Sequence, residues 1–263
     1  MGMPFEFVIE DEVALLTFSR PKTLNSITFE VYAALEQLFR EAPRDDRYKA
    51  MVMTGSGKGF CSGGDVHEII GELLERDMQG LIEFTRMTGE VVKLMRQCPQ
   101  PIIAAVNGLA AGAGAVLALA CDLRVCAASA RFAFLFTKVG LTGADMGAGY
   151  LLPRVVGLGR ASELLLLGDT IDAETAERYG LANRVVADEE VVKDALQWAG
   201  RLAKGPTLAL AMTKRMLQDE LDMDLGSAIE AEAQAQALML QGRDHRAFYE
   251  AFKDKREPEF RGE

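Results

Sequence analysis

The sequence predicts an α/β core followed by a helical C-terminal region. Strand-like and helix-like segments alternate through the first half of the chain. Two of those strands run into turns of small residues that each open a helix, Phe60-Cys61-Ser62-Gly63-Gly64-Asp65-Val66 and Ala104-Ala105-Val106-Asn107-Gly108-Leu109-Ala110-Ala111-Gly112-Ala113-Gly114. From Gly157 onward, apolar stripes at helical spacing dominate.

In chain order, residues 5–10 and 13–19 alternate or run apolar, and Glu10-Asp11-Glu12 between them reads as a hairpin turn. A proline-containing loop over 20–26 precedes a helix over 28–40, with Val31, Leu35 and Leu38 on one face. Residues 50–54 form a strand that ends at Gly55-Ser56-Gly57. Asp65, with Glu68 three residues on, reads as a helix N-cap with a reciprocal capping partner. Helix over 81–96, strand over 101–106, a small-residue helix over 112–120 and a strand over 122–126 follow. Helices are then expected over 158–167, 173–179, 191–204, 208–221, 225–240 and 243–253. The division that follows is a core over 1–200 and a helical region over 201–263.

Composition narrows the class. The 263 residues are 49% hydrophobic and 26% charged, as in an ordinary soluble globular chain. The formal net charge of −10 disfavours nucleic acid as a partner. Two histidines, His67 and His245, are too few for a histidine-rich metal site, and no metal is expected. Cys61, Cys98, Cys121 and Cys126 form no C-x-x-C pair and sit among apolar or small residues, as buried reduced thiols do in a cytoplasmic protein. The N-terminus lacks a basic segment followed by an apolar one, so no signal peptide is expected. The longest apolar stretch, over 109–121, is too short to span a bilayer. Gly112, Gly114 and Leu117 fail the dinucleotide-binding fingerprint for want of a third glycine, and Gly55-Ser56-Gly57-Lys58 lacks the spacing of a phosphate loop.

The two small-residue turns are the chemical signal. Two turns of this kind can aim two backbone N–H groups at one point, as an enzyme needs where a carbonyl oxygen takes on negative charge. Taken singly, a Gly-Ala-Gly turn is better explained by close helix packing. Both turns with their spacing, and the loop Arg20-Pro21-Lys22-Thr23-Leu24-Asn25-Ser26 ahead of them, resemble the crotonase family, the enoyl-CoA hydratase/isomerase superfamily. The resemblance covers nearly the whole chain. It implies a spiral of β-β-α turns with a C-terminal helical trimerisation region, an acyl-CoA thioester as substrate with no further cofactor, and a homotrimer or homohexamer.

The resemblance also implies roles residue by residue. Ser62 and Ala113 match the positions whose N–H groups face the thioester oxygen, with Cys61, Gly63, Asp65, Val66 and Gly114 around them. Lys22, Thr23 and Leu24 match the loop along the CoA pantetheine, and Phe252, Lys253 and Lys255 match the segment that reaches the CoA adenine and phosphates. Hydratases of the family carry two catalytic glutamates, and those positions here are Val116 and Phe136. Adding water across a conjugated double bond needs a base for the water and an acid for the α-carbon, and neither side chain transfers a proton. Asp145 coincides with the aspartate that acts in dienoyl-CoA isomerases and in 4-chlorobenzoyl-CoA dehalogenase. A cap for the next helix is the alternative role for it. Glu90 is the second candidate acid, against the plainer reading of a solvated helix face. Phe84, Phe132, Phe134 and Phe136 read equally as an acyl pocket or as core. Two functions follow: an acyl-CoA isomerase-like or lyase-like enzyme with Asp145 as base, and a CoA-thioester-binding homologue without catalysis.

Overall fold

Alternation of strand pairs with helices produces two sheets wound side by side in the computed structural model, which describes residues 3–263. Met1 and Gly2, the start of the N-terminal stretch read above, lie outside the described residues. The strands are β1 (Glu6–Glu10), β2 (Val13–Phe18), β3 (Ala50–Gly55), β4 (Gly59–Cys61), β5 (Ile102–Val106), β6 (Leu109–Ala111), β7 (Leu123–Ala127), β8 (Arg131–Ala133), β9 (Thr170–Asp172) and β10 (Arg184–Val186). The helices are α1 (Phe29–Glu41), α2 (Gly71–Leu73), α3 (Met78–Gln97), α4 (Ala113–Ala120), α5 (Ala148–Val156), α6 (Leu158–Leu167), α7 (Ala173–Arg178), α8 (Val191–Ala203), α9 (Thr207–Asp219), α10 (Leu225–Gln241) and α11 (Arg243–Asp254).

One sheet has the order β1-β2-β3-β5-β7-β10 and the other β4-β6-β8-β9. Each turn of the spiral gives its first strand to the first sheet, its second to the other, and then a helix: β3, β4, α3; β5, β6, α4; β7, β8, α5. This is the spiral of β-β-α turns that the family resemblance implies. The hairpin β1–β2 is antiparallel and turns at Asp11 and Glu12, both at positive φ, whereas β2, β3, β5, β7 and β10 pair in parallel. Every residue of β3 and β5 is buried, because α8 covers one face of these central strands and the second sheet and its helices the other.

Polar groups lock the junctions. The buried Arg124 guanidinium donates to the carbonyls of Cys121 (2.6 Å), Leu119 (3.2 Å) and Leu181 (2.6 Å), closing the C-terminus of α4 with a cation as the helix dipole favours. Asp122 takes ion pairs from Arg96 (3.1 Å) and Lys214 (2.8 Å), which seats α9 against the end of α3. The C-terminal tail folds back, with the Asp244 carboxylate accepting from the N–H groups of Arg261 and Gly262.

The expected long elements are present with ends shifted by one to three residues. The sequence missed the three-residue strands β4, β6, β8, β9 and β10. All four cysteines are buried free thiols. No described helix is long and apolar enough to cross a membrane. Helix α10 buries none of its residues and exposes Leu225, Ile229, Leu238 and Leu240. Phe132 and Phe134 are fully buried, so they belong to the core and not to an acyl pocket.

Candidate active site

The loop after β2 makes the seat for the first turn. Leu24 and Asn25 both adopt left-handed backbone, which folds the loop so that the buried Asn25 amide donates to the carbonyls of Gly59 (2.7 Å) and Ser56 (2.9 Å). Ile27 then pairs with Gly64 in a parallel bridge: its N–H donates to Gly63 O, and Asp65 N–H donates to Ile27 O, each at 2.8 Å. In parallel pairing the residue facing a bridge partner turns its own N–H to the other side. Gly64 N–H therefore points away from Ile27, and it donates to no group among the described residues.

Ser62 is placed differently from expectation. Its N–H donates to Leu24 O at 2.9 Å and its hydroxyl to Thr23 O at 2.9 Å, so the donor expected at Ser62 is already committed. A free N–H of this turn is at Gly64, which the sequence did not single out. Its only signal there is its place directly before the helix-capping aspartate.

The second turn supplies the other donor. Gly112 at φ 51° starts α4 with no side-chain cap, so the Ala113 N–H is one of the orphan donors of a helix N-terminus. The turns meet at Gly63. At φ 96° it adopts left-handed backbone, and a Cβ on it would lie 2.9 Å from Ala111 O and 3.4 Å from Ala113 N. Gly114 serves packing rather than substrate contact, because a Cβ there would lie 2.1 Å from Cys61 O. Cys61 is likewise buried in β4, its thiol pushed up to about 12 by burial, and is no substrate contact.

Asp65 is buried and structural. It caps the short helix over Val66–Ile70 through the N–H groups of His67 (3.1 Å) and Glu68 (3.2 Å), accepts from Ser26 Oγ (2.8 Å), and pairs with Arg20 (3.2 Å). The Ser26 hydrogen bond, ahead of the capping N–H groups and the Arg20 charge, holds its carboxyl below the usual carboxylate range. Glu68 does not complete the expected capping box, since it pairs with Arg20 at 3.0 Å. Lys22, Thr23, Leu24 and Val66 are exposed at the rim of this turn.

Val116 is fully buried one turn into α4, and Phe136 is buried on the 3-10 turn Leu135–Val139. Both positions are therefore apolar as well as unable to transfer a proton. Asp145 lies on the loop before α5. It does not cap that helix: Gly147, in left-handed conformation, occupies the cap position and no side chain bonds to the helix N-terminus. The Asp145 side chain is partly buried. Burial raises its pKa above the ordinary carboxylate value, the Met146 N–H offsetting this in part. Tyr32 of α1 reaches this loop, its hydroxyl donating to the Met146 thioether sulfur at 3.8 Å. Phe29 and Tyr32 each pack in T-shaped geometry against Phe84, with ring centroids 5.4 and 6.0 Å apart, on the side of α1 that faces α3.

Glu90 is not a second acid in this arrangement. Its carboxylate pairs with Lys93 (3.2 Å) and Arg40 (3.6 Å) on the outer side of α3 and α1. Phe252 and Lys255 are exposed on and after α11, which packs on α10, and within one chain they are not brought to the turns. A cavity of about 770 Å³ lies among α9, α10 and α11 rather than at the turns.

The two sheets wound in β-β-α turns, with two small-residue turns opening helices, are the fold of a family of acyl-CoA-processing enzymes. The family model for enoyl-CoA hydratase/isomerase matches residues 8–263. The chain belongs to the enoyl-CoA hydratase/isomerase family. It is 37% identical over 254 residues to 1,2-epoxyphenylacetyl-CoA isomerase of Escherichia coli K12, covering 97% of each protein. It is 32% identical to crotonyl-CoA hydratase of Syntrophomonas wolfei, covering 98% of this chain and 99% of that protein. The crystal structure of an enoyl-CoA hydratase homologue from Streptomyces coelicolor A3(2) superposes with a TM-score of 0.96 at 53% identity, covering 98% of this chain and 94% of that one.

Proposed function

We propose that the protein isomerises an unsaturated or cyclic acyl-CoA thioester with Asp145 as its acid–base group. The carrying observation is that both hydratase acid positions hold buried apolar side chains, Val116 and Phe136, while Asp145 keeps a partly buried carboxylate with no cationic partner among the described residues. The Gly64 and Ala113 N–H groups bind the thioester oxygen. Asp145 removes a proton from the acyl carbon chain, the C–H electron pair moves into a thioester enolate, and the two donors take up the charge on oxygen. Asp145, once protonated, exchanges its proton with solvent and delivers one to another carbon of the conjugated system, which shifts the double bond and regenerates the carboxylate. Nothing is added and no cofactor takes part. The relative that isomerises 1,2-epoxyphenylacetyl-CoA supports a ring-bearing acyl group within this class.

Lys22 and the backbone of Thr23 and Leu24 hold the CoA moiety. Phe252 and Lys255 reach it from a neighbouring subunit, for which the exposed apolar faces of α10 and α11 provide the contact in a trimer or hexamer. Residues 201–263 are then the assembly region and 1–200 the core that carries the chemistry.

The test is product mass. Incubated with a panel of unsaturated and ring-bearing acyl-CoAs, the protein converts at least one to a product of unchanged mass. A product heavier by one water from crotonyl-CoA, formed at a rate typical of enzymes (about 1–10³ per second), overturns the assignment. Binding of every thioester without conversion establishes the non-catalytic homologue instead.

A further inference from the structure

One side chain next to the proposed base sits in a conformation it does not favour. Met146 has φ 49°, the left-handed region that L-residues other than Asn and Asp rarely enter. Such strain persists only where the surroundings over-determine it. Here Met146 is buried at 5% exposure, and the buried Tyr32 hydroxyl donates to its thioether sulfur at 3.8 Å. Tyr32 is itself fixed by Phe84, whose ring edge-packs on it at 6.0 Å. On the other side, Gly147 continues in left-handed backbone and lies against Val92 of α3. The Asp145 carbonyl is tied to Ala148 N–H at 2.8 Å. The backbone on both sides of the Met146 side chain is therefore held, and the carboxylate of Asp145 projects from the residue just before it.

We propose that Met146 and Tyr32 are positioning residues for Asp145: the buried thioether and the hydroxyl bonded to it hold the left-handed turn that aims the carboxylate. The proposal rests on Asp145 being the base. Misplacing a reacting group by about 1 Å can cost about 10²-fold in rate without changing how the remote CoA moiety binds. The readout is therefore a split between kcat and KM.

Three variants test it. Met146→Gly removes the side chain that fills the slot and frees the backbone. It is expected to lower kcat by about tenfold or more, with KM within about twofold of the parent, at a temperature where circular dichroism shows it folded. Met146→Leu refills the same space at nearly the same volume and is expected to restore kcat to within about threefold of the parent. Tyr32→Phe keeps the ring against Phe84, loses only the hydroxyl, and is expected to lower kcat about threefold with KM unchanged. Parental kcat in Tyr32→Phe and in Met146→Gly overturns the proposal. If Met146→Gly does not fold, Tyr32→Phe alone decides, and parental kcat there overturns it. Asp145→Asn is measured alongside. Full turnover in that variant removes the base itself. Lost turnover there with parental Met146→Gly and Tyr32→Phe removes only the positioning role.

Discussion

Asp145→Asn lowers turnover by about 10²- to 10⁴-fold, the range by which a positioned acid–base group accelerates a reaction, and leaves acyl-CoA binding nearly unchanged. The same substitution raises thermal stability at neutral pH. Burial raises the folded-state pKa of Asp145 above its unfolded value, so the folded protein holds this proton more tightly than the unfolded chain. Ionised at neutral pH, the buried carboxylate is a cost to the fold. That cost shrinks as pH falls through the raised pKa and disappears below the unfolded one. Asparagine removes it, so the gain in melting temperature is largest near pH 7 and fades on acidification. The kinetic counterpart follows from the same shift. A base acts only when ionised, so kcat/KM of the parent falls on the acid side at a higher pH than an ordinary aspartate would give. Loss of activity without any gain in stability would mean that Asp145 is held by partners and is not a buried, unpaired base.

The second large effect separates Gly64 from Ser62. Proline at 64 deletes the N–H that the parallel bridge turns away from Ile27, while Gly63 O and Asp65 N still bond to Ile27. Gly64→Pro is expected to lose about 10²- to 10³-fold in kcat, the usual cost of one oxyanion donor. Gly64→Ala keeps the N–H, and its Cβ would meet only Ile69 at 3.7 Å, so it retains most activity. Ser62→Ala leaves the Ser62 N–H on Leu24 O, and its kcat stays within a few-fold of the parent. Steady-state rates on the substrate found by the mass assay, with melting curves for each variant, check the series. A large loss in Ser62→Ala with Gly64→Pro unaffected would return the donor to Ser62.

The sequence carried the long elements well and the second sheet poorly, for a physical reason. Helices α3, α8 and α11 announce themselves by apolar stripes repeated over several turns. Strands β4, β6 and β8 are three residues each, buried almost throughout, and too short to show any alternation. The turn around Ser62 was legible as a turn. Which of its N–H groups stays free depends on Ile27 and Leu24, some forty residues earlier, and local sequence does not show that pairing. Gly114 reads as substrate access until Cys61 O is found where its Cβ would stand. Glu90 reads as a spare acid until Arg40, from another helix, is found beside it. Asp145 is the reverse case. A capping role was the alternative reading, and the left-handed Gly147 excludes it by taking the cap position itself.

The most direct measurement follows the proton. The parent and Asp145→Asn are incubated in D₂O with an unsaturated or ring-bearing acyl-CoA, and the thioester is analysed for deuterium and for added water. The parent is expected to yield an isomer without added water that carries solvent deuterium on an acyl carbon, and Asp145→Asn to abolish both exchange and isomerisation. Hydrated product, formed equally fast by the parent and by Asp145→Asn, would contradict the account.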